Sequence, residues 1–469
     1  MAQRAVTLLV EAPAGYEPER RYILDVVLRE RLGLAWRLER RDGSDVRIRL
    51  DGEADGRRVV MPDVLFATPP AAWLTRASLP PAPLPWRPAG DERLPVIYGT
   101  TGGTGELLRA GSAGIELDVD VLGSCFFMLS RYEECVEPVR DAYGRFPASA
   151  SVAHRDGFLR LPVVDAYVEL LAAALERLWP GLGRRQPRTF DVALTHDVDD
   201  PLATLGRGPL KLLRQLGADA LLRRDPALMT RRLRSWVGLA RGSHALDPYN
   251  TFDFLMDVSE RHGLRSAFFF MAAAGTAAPT DPPYTLAHPW VRALLRRVHR
   301  RGHEIGFHAG FGTHRDTERT RQEFERLRDA AAREGVRQEA WGGRQHYLLW
   351  DNPTTWSNWD RAGLDYDMTL GYADRIGFRT GTCHAFPVFH LLERRPMRLR
   401  ERPFQVMDGT LGQYMGLSPA AALEQVLPMV EQCRRHGGTF SVLWHNSVLQ
   451  TAREKRWYEE LVAAAAARS

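Results

Sequence analysis

The segment "ALTHDVDD", residues 193–200, runs from two apolar residues into Thr195, His196, Asp197, Val198, Asp199 and Asp200. Along a strand the side chains alternate, so Asp197 and Asp199 project to the same side. Two carboxylates so placed repel each other, and a cation beside them relieves the repulsion. Imidazoles that could share that cation occur downstream. His308 closes "GHEIGFH", and His314 lies six residues on in "HAGFGTH". Histidine nitrogen and aspartate oxygen are the donors that zinc or a similar ion takes in catalytic sites, with one position left for water. His445, at the end of "TFSVLWH", adds a further titratable ring.

These residues share a place in the pattern of elements. After residue 188, strand "FDVALTHD" is followed by a helix over 250–262, strand "SAFFFMAA" and a helix over 288–301. Strand "HEIGFH", a helix over 317–334, strand "EAWGGRQ", a helix over 353–362 and strand "YDMTL" come next. A helix over 418–436 then leads to "TFSVLWH". Such alternation predicts parallel strands covered by helices, in a barrel or a doubly wound sheet, with chemistry at the C-terminal strand ends. Asp197 with Asp199, then His308, Arg344 and His445, each end a predicted strand and so meet at one rim. His196 and His303 alternate away from it and are expected to pack or to support.

Residues 1–120 read as mixed α/β, with "VTLLVEAP" and "VRIRLDG" as strands and a helix in "EPERRYILDVVLRERLG". "LPPAPLPWRPAGDERLP" predicts an extended linker or surface crossing. The glycine-rich "YGTTGGTGE" (98–106) lacks the Gly-Lys-Ser/Thr ending of a phosphate loop and reads as a flexible loop. "DVLGSCFFMLSRYEE" predicts a buried helix whose final Arg131, Glu133 and Glu134 form an ion-paired surface or a domain contact, with a functional trio as the alternative. "PGLGRRQPR" (180–188) breaks the pattern and divides the chain into domains 1–183 and 184–469.

Composition narrows the function classes. Formal net charge is +5, yet Lys211 and Lys455 are the only lysines among 63 basic residues. That is a bias toward arginine and not a nucleic-acid footprint, since no such motif accompanies it. No nucleic-acid partner is expected. The four cysteines form no CxxC pair, and so few suit a reducing compartment. The apolar run at the N-terminus is too short for a signal peptide, and there is no stretch of ~18 apolar residues. A cytoplasmic protein is the expectation.

Taken in order, "THDVDD", "GHEIGFH" with a later histidine, "GGRQHY" and "LWH" resemble the motifs of the polysaccharide deacetylase superfamily, the carbohydrate-esterase group with a NodB-homology domain. "FFMLSRYEE" and "RFPAS" resemble the uncharacterised domain that precedes such a barrel in a bacterial subfamily. The resemblance implies a distorted (β/α) barrel of the NodB-homology type with a separate N-terminal α/β domain. It also implies metal-dependent removal of an N-acetyl group from a sugar or surface-polysaccharide precursor, with a divalent metal, zinc foremost. Carried onto this chain, Asp197 is the general base, Arg344 orients it, and His445 is the general acid. Asp199 and His308 are metal ligands. The family's second histidine stands four residues after the first, where this chain has Gly312. His314 is then the third ligand if the loop bulges, with His346 as its substitute or as a residue that binds substrate. Trp341, Tyr347, Trp350, Trp356 and Trp359 are candidates for stacking on sugar faces, although several must be core.

Two other readings stay open: hydrolysis of another C–N bond, such as an N-formyl group or a ring amide, and a metal-free carbohydrate-binding or scaffold protein. The arginine-rich insert at about 203–245 could lie on an anionic membrane or grip a lipid-linked sugar. The plainer reading is a pair of surface helices.

Overall fold

The computed structural model describes residues 6–53, 56–100, 105–111, 114–182, 189–205, 214, 216–217, 226–239, 242–273 and 284–467. Its N-terminal part contains β1 (Thr7–Ala12), β2 (Ala35–Arg40), β3 (Asp45–Leu50), β4 (Arg58–Pro62), β5 (Trp86–Ala89), β6 (Glu92–Pro95), β7 (Leu108–Gly111) and β8 (Gly114–Leu117). Six of these form a mixed sheet in the order β2-β1-β3-β4-β8-β7. β5 and β6 pair as an antiparallel hairpin within the proline-rich stretch, so it is not a linker. Buried Arg87 ties that hairpin to Asp118 at 2.7 Å. Residues 101–104 of the glycine-rich segment lie outside the described residues.

The second sheet takes β9 (Asp191–Val198), β10 (Ser266–Met271), β11 (Glu304–Ala309), β12 (Gly342–Gln345), β13 (Tyr366–Asp367), β14 (Phe386–His390), β15 (Arg395–Glu401), β16 (Val406–Met407) and β17 (Thr439–Leu443). Its order is β14-β15-β13-β12-β11-β10-β9-β17-β16. Every neighbouring pair is parallel except β14 with β15. Helices Phe252–Arg261, Pro289–Arg300, Thr317–Arg333, Thr354–Ala362 and Pro419–Arg435 link its strands, each within two residues of its predicted bounds. They form because apolar residues recur at helical spacing. In Pro289–Arg300 the buried positions are Val291, Leu294, Leu295 and Val298, with arginines on the opposite face. The chain is therefore mixed α/β, an N-terminal sheet domain followed by a parallel-sheet domain. The boundary at 183/184 falls on residues 183–188, outside the described residues.

One apolar core runs through both parts, from Leu8 on β1 through Phe126 and Tyr167 to Phe389 and Val442. Helix Val121–Leu129 is buried along its whole length, and the chain then turns through Arg131 at φ 52°. Arg131, Glu133 and Glu134 are buried and make the domain contact. Arg131 binds Glu133 at 2.7 Å and Glu134 at 2.9 Å, while Glu134 takes a second guanidinium from Arg379 at 2.5 Å. Removing one partner from such a network strands a buried charge, which costs about 3–5 kcal/mol.

Of the insert, residues 206–213, 215, 218–225 and 240–241 lie outside the described residues. Its helix Pro226–Leu239 buries Leu228 and exposes Leu233 and Val237. No helix among the described residues is long and apolar enough to cross a membrane.

At the β13–β15 ladder, Asp367 stands in register with Glu401, and both are fully buried. Burial pushes the Asp367 carboxyl up to about 7. Burial, then the charge of Asp367, pushes Glu401 well above the carboxylate range. A folded-state value above the unfolded one contributes stability below ~4 that is lost as pH rises through the folded value. For Asp367 that window is about pH 4 to 7. Asp367→Asn keeps an oxygen to accept the Thr369 N–H, now bound at 2.9 Å, and buries no charge. The variant is expected to melt ~2 °C or more above the parent at pH 8 and to show a flatter decline from pH 5. Thermal melts across that range check it, and parallel curves for the two proteins would refute it.

Candidate active site

β9 supplies the first side chains of the site. Alternation sends Thr195 and Asp197 to one face and His196 to the other, where its ring bonds the Trp444 carbonyl at 2.8 Å and Ser266 Oγ at 3.2 Å. His196 therefore packs, as expected. His303 also stays away from the site, accepting the Ser266 N–H at 3.1 Å. β11 and β12 run in register so that His308 lies beside Arg344, and Asp197 pairs with Phe269 on β10. Gly306 on β11 stands in register with Phe269. A Cβ there would stand 2.3 Å from the Phe269 ring. Without it the Arg344 side chain lies over that ring, 5.1 Å from its centroid, and over Phe404 at 4.9 Å.

Arg344 is fully buried and uses three directions of its fork. Nη1 donates to Asp197 Oδ1 at 2.7 Å, Nη2 to Thr195 Oγ1 at 3.0 Å, and Nε to the Met368 carbonyl at 2.8 Å. Burial alone would raise the Asp197 carboxyl, but the Arg344 guanidinium, together with His308 and His445, outweighs it and holds Asp197 below the usual carboxylate range. Asp197 is thus an ionised, oriented acceptor whose second oxygen is left on the site side, 3.8 Å from His308 Nε2.

Next to it three ligand-type atoms converge. His308 Nε2 is 3.1 Å from Asp199 Oδ1 and 3.0 Å from His346 Nδ1, and His346 Nδ1 is 3.5 Å from the same oxygen. Asp199 Oδ1 is buried with no hydrogen-bond partner. A tetrahedral ion with bonds of ~2.0–2.1 Å holds its ligand atoms about 3.3–3.4 Å apart, so the group fits a divalent metal. The tautomer agrees. His308 Nδ1 lies 2.9 Å from the Arg344 carbonyl, to which it can only donate, and this leaves Nε2 a lone pair for the group. Burial would raise Asp199, yet His346 and His308 hold it well below the carboxylate range.

His314 does not join this group, contrary to the sequence expectation. Gly312, at φ 87°, turns the chain into the short 3-10 turn Thr313–Arg315. That turn aims the His314 ring at Asp351, 3.7 Å away, while its carbonyl accepts from Thr355 and Asn358. His346 takes the third position because β12 ends at Gln345 and bends over the rim.

His445 follows β17. Its Nδ1 donates to Asp408 Oδ1 at 2.8 Å, and Nε2 faces Asp199 Oδ2 at 3.7 Å. Burial would lower this ring, but Asp408 first, then Asp199 and Asp197, raise it to about 10, so it carries a proton at neutral pH. Asp408 was not singled out from the sequence. Its signal is the same as for the others, an acidic residue immediately after a strand, but β16 is only two residues long. Of the proposed stacking rings, Trp350, Trp356 and Trp359 are core, and Trp341 packs on Phe324. Tyr347 stays at the rim.

Residues 8–180 match DUF7033, a family of unknown function. No curated protein matches the chain. Among solved structures the chain is similar to a protein described as a polysaccharide deacetylase from Mycobacterium smegmatis, with 18% identity and a TM-score of 0.37 over 60% of this chain and 86% of that one. Puue allantoinase is similar at 12% identity and a TM-score of 0.34, over 60% of this chain and 88% of that one. A protein described as a polysaccharide deacetylase from Pseudomonas aeruginosa PAO1 gives 15% identity and a TM-score of 0.35, over 60% and 89%.

Proposed function

We propose that the chain is a metal-dependent amide hydrolase that removes an N-acetyl or related acyl group from a sugar or a surface-polysaccharide precursor. The observation that carries the reading is the convergence of a base, a ligand group and an acid. An ionised carboxylate locked by Arg344, an Asp199–His308–His346 set at coordination spacing, and a protonated imidazole backed by Asp408 lie within one rim. A binding module has no use for an acid and a base on either side of a metal site.

Asp199, His308 and His346 would hold the ion, zinc by donor type, which when bound supplies polarisation of the acyl oxygen and a more acidic water. The remaining work falls to the chain. Asp197 accepts the proton of the attacking water at Oδ2, since Arg344 occupies Oδ1. Arg344 keeps that carboxylate ionised and aimed. His445 delivers the proton from Nε2 to the departing nitrogen, while Asp408 on Nδ1 fixes the ring and keeps it charged between turnovers.

The test is acyl release from a panel of N-acetyl and N-formyl sugars and ring amides by protein purified without chelator. Release of acetate that dipicolinate abolishes and zinc restores is the expected result. Formate or ring opening would move the reading to another C–N bond, and no release from any compound by zinc-loaded protein would sink it.

A further inference from the structure

The chain between helix Tyr132–Val136 and Ala148 leaves the N-terminal domain and crosses onto the rim of the second sheet. A tight turn does this. Gly144, at φ 88°, donates to the Asp141 carbonyl, and Asp141 Oδ1 accepts the N–H groups of Tyr143 and Arg145 at 2.9 Å. The Arg145 guanidinium is buried beneath it, bound to Asp141 at 2.7 Å and to the Tyr414 hydroxyl at 2.9 Å. It lies 4.8 Å from the Tyr143 ring centroid and 5.6 Å from that of Tyr414.

Three rings gather around this arginine. Tyr143 and Tyr347 lie 5.4 Å apart at 36°, and Tyr347 meets the His346 ring edge-on at 4.6 Å. Tyr347 and Leu348 both take left-handed backbone, at φ 60° and 57°, which non-glycine residues seldom adopt. Tyr143, 50% exposed, and Tyr414, 41% exposed, are the exposed aromatic side chains among the described residues, and both belong to this cluster. Rings left in solvent, fixed by a buried charge and continuous with a ligand group are poor core and good recognition surface. A pyranose offers an apolar C–H face to such rings and hydroxyls to the phenols at their edges.

We propose that the N-terminal domain completes the substrate site: Tyr143, Tyr347 and Tyr414, packed around Arg145, form an aromatic platform beside Asp199, His308 and His346 that stacks on a sugar ring flanking the acylated one. The substrate is then an oligosaccharide and not a single sugar. The inference rests on the hydrolase reading for its acylated sugar, but the platform is a binding surface and is tested as one.

The experiment titrates tri-N-acetylchitotriose calorimetrically into the Asp197→Asn protein and into the same protein carrying Tyr143→Ala or Tyr143→Phe. Alanine is expected to weaken binding by about 5–10-fold and phenylalanine by less than about twofold, with the loss smaller for the monosaccharide. Thermal melts establish that the variants are folded, as the exposure of Tyr143 leads one to expect. Equal affinity with and without the Tyr143 ring overturns the platform, as does the absence of trisaccharide binding to the Asp197→Asn protein. Acetate release by the unsubstituted protein is measured beside it. Binding that depends on Tyr143 with no release from any compound of the panel by zinc-loaded protein would remove the hydrolase and keep the platform, whereas acetate release with binding indifferent to Tyr143 would do the reverse.

Discussion

On the proposed hydrolase reading, His346→Ala is expected to abolish metal binding and to lower acyl release by more than about 100-fold, whereas His314→Ala is expected to leave metal content and turnover close to the parent's. The ligand geometry sets the first part. His346 Nδ1 is 3.0 Å from His308 Nε2 and 3.5 Å from Asp199 Oδ1, so its loss leaves two donors where a catalytic zinc site needs three. Changing groups that merely orient ligands already costs 10–100-fold in affinity, and deleting a ligand costs more. The second part follows from what His314 does. Its carbonyl braces Thr355 and Asn358, which alanine still permits, and its ring meets Asp351 at the rim. Elemental analysis of both variants, purified side by side without chelator, decides the matter. A His346→Ala protein that keeps its metal, or a His314→Ala protein that loses it, would reverse the assignment.

That pair also marks where the sequence stops being legible. Strand ends could be read because each is a short apolar run closed by a polar residue, and the parallel register then brings Asp197, His308, Arg344 and His445 to one rim with no further information. The third ligand could not be chosen by spacing. Counting residues from His308 assumes a regular loop, and the left-handed Gly312 redirects it. Choosing His346 required knowing that the chain bends immediately after β12, through left-handed Tyr347 and Leu348. Asp408 escaped for a related reason: two residues of β16 carry no periodicity. The Tyr143–Arg145 turn lies more than 200 residues from Tyr347 in a different domain, and only the tertiary crossing joins them. Local pattern yields elements, and their ends yield a rim. What the loops and the other domain add to the rim depends on packing that no window of sequence contains.

Asp197→Asn is the sharper test of the proposed chemistry, because it separates the proposed base from the proposed metal group. Turnover is expected to fall on the order of 10³-fold, within the range for loss of a positioned general base. Metal content should stay near the parent's, since Asp197 stands beside the ligand group and not within it, 3.8 Å from His308 Nε2. The amide keeps the shape of the carboxylate and can still accept from Arg344 Nη1, so the fork to Thr195 and Met368 survives. The cost is to the buried guanidinium, which loses its counter-charge, and a drop in melting temperature should accompany the drop in rate. Arg344→Lys probes the same contact from the other side. An ammonium cannot serve Asp197, Thr195 and the Met368 carbonyl together, so turnover falls although the charge remains. The two variants make opposite demands on any rival account. If Asp197→Asn lost its metal along with its activity, Asp197 would be a ligand. If Arg344→Lys retained full turnover, charge alone would suffice and the fixed geometry around Asp197 would have no catalytic purpose.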